Sequence, residues 1–158
     1  MSDFLRIIVV GVGATAIFDL YLWLLSRTGL PGANWTMGGR WFAYMPRGRF
    51  VHAGIANSAP IPGETAVGWT MHYVVGILFA AVVVAVAGWG WLDRPTMLPA
   101  MIVGWVTVLA GWLIMSPAMG GGFAASRRPN KWTVRAVNLT GHTVFGFAMW
   151  LVALLIAT

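Results

Sequence analysis

Cysteine is missing from the chain altogether. Disulfides, thiolate metal sites, iron–sulfur clusters and cysteine nucleophiles are therefore excluded together, and the redox compartment stays open. Charge is scarce too: Asp, Glu, Lys and Arg make up 9% of the 158 residues, against about a quarter in a soluble domain. Only Asp3, Asp19, Glu64 and Asp93 are acidic. A surface so poor in charge cannot be dressed for water. With 59% hydrophobic residues and a mean hydropathy of +0.78, the chain reads as a membrane protein. Ten tryptophans agree, because indole rings favour the headgroup level. The net charge of +6 is accounted for by basic loops that orient a chain in a bilayer, and no nucleic-acid partner is expected.

Four apolar runs, about 4–25, 66–92, 97–119 and 134–157, reach the ~20 residues that a ~30 Å hydrocarbon layer demands. They show no period-two alternation, so the expected fold is all-α: a four-helix transmembrane bundle, one domain over 1–158. Arg27, Arg40, Arg47 and Arg49 separate spans one and two, and Arg127, Arg128, Lys131 and Arg135 separate spans three and four or open the fourth. Only Arg6 and Arg94 are left for the other side. The positive-inside rule then places both basic loops in the cytoplasm and both termini on the opposite side of the membrane. Ala14-Thr15-Ala16 has the small residues of a signal cleavage site, but the apolar run continues to Leu25 and the basic start is weak, so the span is expected to be kept. Gly11, Thr15 and Asp19 share one face of span one, and Gly104 and Gly111 lie seven apart in span three; both sets are expected to be packing seams.

Thr70-x-His72-x-x-x-Gly76 in span two matches Thr140-x-His142-x-x-x-Gly146 in span four. Beside a simple four-helix bundle, these three matched positions offer the alternative of two tandem helical hairpins related by an axis along the membrane normal.

Ionisable residues within spans are costly unless paired, and they mark sites. Counting from the charges at the cytoplasmic interface, Asp19 is eight residues before Arg27, His72 eight after Glu64, and His142 seven after Arg135. All three sit roughly 10–12 Å below that interface and are expected to converge inside the bundle. Three roles fit the set. In the first, they satisfy one another, helped by Thr15, Tyr73, Asn138 or Ser116. In the second, two imidazoles and a carboxylate hold zinc or non-haem iron. In the third, they form a proton or solute path, which in so small a bundle needs a homo-oligomer or a larger membrane complex.

Residues 26–65 are too many for a mere connection. Trp35, Trp41, Phe42, Tyr44 and Phe50 stand among basic residues, and 37–44 is expected to form a short interfacial helix broken at Pro46. Arg40, Arg47, Arg49 and His52 are candidates for headgroup or anion contact, with anchoring at the inner leaflet as the simpler role. The second basic loop, 120–131, is expected to be flexible at its start. Its Gly120–Gly122 triplet lacks the Gly-x-x-x-x-Gly-Lys pattern of a nucleotide loop.

Motifs along the whole chain carry a family resemblance. They are Gly11-x-Gly13-Ala14-Thr15-x-x-x-Asp19, Gly39-Arg40-Trp41, Pro46-Arg47-Gly48-Arg49-Phe50-x-His52, Gly68-Trp69-x-x-His72-Tyr73-x-x-Gly76, Pro117-Ala118-Met119-Gly120 with Ala124-Ala125-Ser126, and His142-x-x-Phe145-Gly146. In this order and spacing they resemble an uncharacterised bacterial membrane family, the domain of unknown function 2938. The resemblance implies a small bacterial integral membrane protein and no particular activity. Where the family pattern carries Gln before the proline of span three, this chain has Ser116, which counts against a role needing an amide there. Three functional classes follow. The leading one is a non-enzymatic accessory or structural membrane protein. The others are a proton-coupled or small-solute transporter on Asp19, His72 and His142, and a metal-dependent enzyme acting on a lipid-like substrate.

Overall fold

The computed structural model describes residues 1–30 and 32–157. Helix α1 spans Asp3–Ser26, α2 Trp35–Tyr44, α3 Glu64–Ala87, α4 Met97–Ala118 and α5 Lys131–Ile156. Four of these, all but α2, are long and apolar enough to cross a membrane. No strand occurs among the described residues. The all-helical bundle therefore stands as the sequence predicts, with span ends moved by a few residues. The largest change is at the end of the second span. Gly88, at φ +86, stops α3 at Ala87, where the apolar run continues to Leu92. A 3₁₀ turn, Trp89–Trp91, follows and buries Trp91, whose Nε1 donates to the Thr96 carbonyl at 3.0 Å.

Helix α1 packs on α3 and α5, and α4 packs on α5 and more lightly on α3. The core contains Ile7, Val10 and Ala14 of α1, Ala80 and Val83 of α3, Ala100 and Val103 of α4, and Phe145, Ala148 and Met149 of α5. The outward faces are equally apolar, with Leu20, Leu24, Leu78, Val86, Leu98, Ile114 and Leu155 exposed. In water such a surface would aggregate; against hydrocarbon it is matched.

Small residues set the closest crossings. A Cβ on Gly11 would stand 2.8 Å from Ile77 N, and one on Gly104 would stand 2.7 Å from His142 O and 2.8 Å from Gly146 Cα. Gly111 has nothing within 4 Å, so it is not part of the seam expected from its spacing to Gly104. The α-helix of α4 gives way to a π turn over Ala110–Met115, and the wider turn breaks the angular register on which that spacing relied.

The loop between α1 and α3 is a folded cap. Its helix α2 covers the predicted 37–44 segment and begins two residues earlier, because the Asn34 side chain accepts from Met37 N at 3.1 Å. Backbone lies against backbone where α2 crosses α3: a Cβ on Gly39 would be 2.5 Å from Gly68 N, and one on Gly68 would be 2.7 Å from the Trp35 carbonyl carbon. A second, smaller core forms beneath, from Trp41, Tyr44, Ile55 and Ala118.

Candidate functional site

Asp19 on α1 and His72 on α3 meet, with Nε2 to Oδ1 at 2.9 Å. The side chains are 18% and 12% exposed, so the pair is shielded on most sides. Trp35, the first residue of α2, stacks on the imidazole with centroids 3.7 Å apart and planes 19° from parallel. Trp69, Tyr73 and Phe18 pack around the same ring at 6.2, 5.6 and 5.8 Å. The Gly39–Gly68 crossing is what brings Trp35 this close. The second carboxylate oxygen, Oδ2, is buried with no hydrogen-bond partner among the described residues. A cavity of about 170 Å³ adjoins the pair, lined by Asp19, Leu22, Trp23, Ser26, Gly32, Ala33, Trp35 and Trp69.

His142 does not join them, so the expected three-way convergence does not occur. Its Nδ1 lies 3.1 Å from both Thr107 Oγ1 and the Gly104 carbonyl of α4. Phe18 stands between the two imidazoles, 5.8 Å from His72 and 6.3 Å from His142. Equal depth along a helix axis says nothing about azimuth, and α5 turns its imidazole toward α4. Zinc or iron held by Asp19, His72 and His142 together does not fit this arrangement. No group of three His, Cys, Asp or Glu side chains among the described residues is placed to hold a metal ion.

The supporting residues disperse in the same way. Asn138, with its amide oxygen toward Trp112, accepts from Trp112 Nε1 at 3.1 Å and donates to Val134 O at 3.3 Å. Ser116 donates to Gly122 O at 2.7 Å and accepts from Ala125 N at 3.2 Å. Thr15 turns back to the Gly11 carbonyl at 2.7 Å. Of the helpers considered, only Tyr73 lies against the pair.

Arg40 is also corrected. Far from reaching a headgroup, it is buried and grips Glu64 with two hydrogen bonds, Nε to Oε2 at 2.8 Å and Nη2 to Oε1 at 2.7 Å. Its Nη1 donates to the Ser58 carbonyl at 2.9 Å. The hydrogen bonds to the Glu64 carboxylate raise the guanidinium further above its ordinary pKa. Glu64 also accepts from Ile61 N at 2.9 Å, so one ion pair closes α2, the loop and the start of α3. Arg47 and Arg49 stay exposed beside the Tyr44 ring, at 5.7 and 4.8 Å. His52 is buried; its Nδ1 is 2.8 Å from Ser58 Oγ and its Nε2 has no partner.

One ion pair, buried on its Arg6 side and exposed at Asp93, went unforeseen. Arg6 donates to Asp93 at 2.7 Å and to the Leu92 carbonyl, tying α1 to the α3–α4 turn. The signal for it lay in the charge count, since Arg6 and Asp93 fall at the same end of an antiparallel bundle.

The model of the family described as a protein of unknown function (DUF2938) matches residues 8–156. The chain belongs to that family. No curated protein and no solved structure matches it. For this DUF2938 member, the chemistry must therefore come from its own geometry: a carboxylate–imidazole pair, a three-indole wall and an adjoining cavity.

Proposed function

We propose that the protein is a non-enzymatic, multi-pass component of a bacterial cytoplasmic membrane, an accessory or structural subunit whose buried polar pairs fasten its helices. The observation that carries this is the 2.9 Å Asp19–His72 contact between α1 and α3, roofed by Trp35. In hydrocarbon an unpaired polar group costs several kcal/mol, so a pair that forms only in one packing selects that packing. His142 on Thr107 and Arg6 on Asp93 act in the same way between other elements. The basic loops put α2 and both loop regions on the cytoplasmic side and the termini in the periplasm. The test is thermal stability in lipid nanodiscs: Asp19→Asn and His72→Gln should each lower it, with no accompanying change in proton or solute flux. Unchanged stability in both variants would reject the fastening role.

A second reading draws on Asp19 Oδ2, buried without a donor beside the 170 Å³ cavity. A carboxylate with one free oxygen and a histidine on the other can pass or hold a proton. Four spans enclose little room, so such a path would run at the face of a homo-oligomer or a larger membrane complex. Proton flux in liposomes that disappears in Asp19→Asn, while the folded fraction is retained, selects this reading over the first.

A further inference from the structure

A roomier cavity lies elsewhere. About 350 Å³ opens between residues 51–53 of the long loop and the segment that follows α4, lined by Val51, His52, Ala53, Pro117, Gly122, Phe123, Ser126 and Arg127. Its polar lining is rich in donors. Arg127 makes no ion pair among the described residues, and Ser126 adds a hydroxyl. The backbone N–H groups of Ala53, Gly122 and Phe123 have no acceptor among the described residues. His52 brings a ring nitrogen that is buried and unpartnered. None of the chain's four acidic side chains lines the cavity.

The backbone around it is strained. Ala124 and Ala125 are consecutive left-handed residues, at φ 47 and 59, a conformation that costs an L side chain roughly 1–2 kcal/mol each. Gly120 and Gly122 also have positive φ. The segment is held in this form from several sides. Ser116 bonds Gly122 and Ala125, Arg135 Nε donates to the Ala124 carbonyl at 2.8 Å, and His52 N and Ile55 N reach Ala118 and Met119. The start of this loop, read from its glycines as flexible, is thus bound into a fixed shape. Strain maintained by so many bonds gathers where a ligand is clamped.

We infer that this cavity is a phosphate-binding site. Donors from three chain segments, 51–53, 122–123 and 126–127, suit a tetrahedral group with three or four acceptor oxygens better than a planar carboxylate. A guanidinium without a carboxylate partner supplies the charge. The site lies at the loop end of the bundle, between the two loops whose sequences carry Arg47, Arg49 and Arg128, where a phosphate arrives either on a lipid headgroup or on a soluble phosphoester. It is independent of the Asp19–His72 pair, so neither result bears on the fastening role.

The experiment uses the full chain, delipidated in detergent and, separately, in nanodiscs. Inorganic phosphate is titrated by calorimetry at 150 mM chloride. Retention of phosphatidic acid, with phosphatidylcholine as comparison, is read by native mass spectrometry. Arg127→Gln is expected to weaken binding about ten-fold or more, as loss of a charge-assisted hydrogen bond predicts. Ser126→Ala should weaken it less, and Arg128→Gln, the exposed neighbour outside the lining, should leave it within about two-fold. Binding of free phosphate identifies a soluble source; retention of phosphatidic acid alone identifies the headgroup. Failure of both probes overturns the inference, as does an Arg128→Gln effect equal to that of Arg127→Gln, which would mean only a diffuse basic surface. Arg127 and Ser126 are exposed, so these variants do not disturb the core.

Discussion

Replacing Gly39 by Ala tests how α2 is seated. The added methyl would overlap the Glu64 carbonyl oxygen outright, stand 2.5 Å from Gly68 N, about 0.9 Å short of the 3.4 Å at which ordinary contact begins, and meet Gly68 Cα at 2.8 Å. These neighbours are backbone, so no side-chain rotation can relieve them; α2 must lift as a body. A gap of 0.5–1 Å forfeits roughly a quarter to a half of each dispersion well along the crossing. Overpacking of this kind costs about 1–3 kcal/mol, offset by the ~0.5–1 kcal/mol that Ala gains over Gly in a helix. The expected net loss is about 1–2 kcal/mol, or a fall of roughly 2–8 °C in Tm for a chain of this size. Lifting α2 also draws Trp35 off His72 and stretches the Arg40–Glu64 pair. Thermal unfolding in nanodiscs reads the loss, with Gly111→Ala, which meets nothing within 4 Å, as the control. If Gly39→Ala is as stable as Gly111→Ala, the backbone-to-backbone seat of α2 is wrong.

Other perturbations separate the remaining contacts. A double-mutant cycle between Asp19→Asn and His72→Gln should give a coupling of about 1–2 kcal/mol, while the cycle between Asp19→Asn and His142→Ala should stay within about 0.5 kcal/mol; equal couplings would contradict the Phe18 partition. Arg40→Lys keeps the charge but loses the paired grip on Glu64, so its Tm should fall well below that of Arg47→Lys, which changes an exposed side chain. Ala124→Gly and Ala125→Gly each remove left-handed strain at some cost in chain entropy, and each should raise stability by about 0.5–1 kcal/mol; destabilisation would show that the alanine methyls pack usefully.

Residues legible from the sequence were those whose physics is local. Span length and hydropathy found four rods, and the segment 37–44 found all of α2 but its first two residues. Asp19 was legible as an acid that needs a partner, because charge at depth requires one, but which of the two imidazoles it takes was not. What failed depended on azimuth and on distant partners. Counting from Arg135 gives His142 a height, but which neighbour it faces follows from the Gly104–Gly146 crossing, which fixes the roll of α5 on α4. Arg40 read as a surface cation because Glu64, its partner, is 24 residues away. The signal was present in the small residues Gly39 and Gly68, which let α2 lie close enough for the two to meet.

The tandem motif explains why these two histidines ended differently. In the first hairpin, Gly76 of α3 packs on Gly11 and Thr15 of α1; in the second, Gly146 of α5 packs on Ala100 and Gly104 of α4. Each histidine precedes its glycine by four residues and so reaches one turn along the same partner helix: His72 to Asp19, His142 to Thr107 and the Gly104 carbonyl. Thr15 and Asp19 are four apart, and four residues beyond Gly104 stands Val108, which is buried. The scaffold is thus repeated, but the acid is not. A hydroxyl and a carbonyl already satisfy the second imidazole, and no counterpart of Trp35 roofs it among the described residues, because only the first hairpin carries an α-helix in its connection. An element needed only for packing can be matched in both halves; a carboxylate with a spare oxygen and its own indole cover occurs in one. That asymmetry confines the carboxylate–imidazole pair to α1 and α3, under Trp35 of α2, and the second hairpin repeats the packing without it.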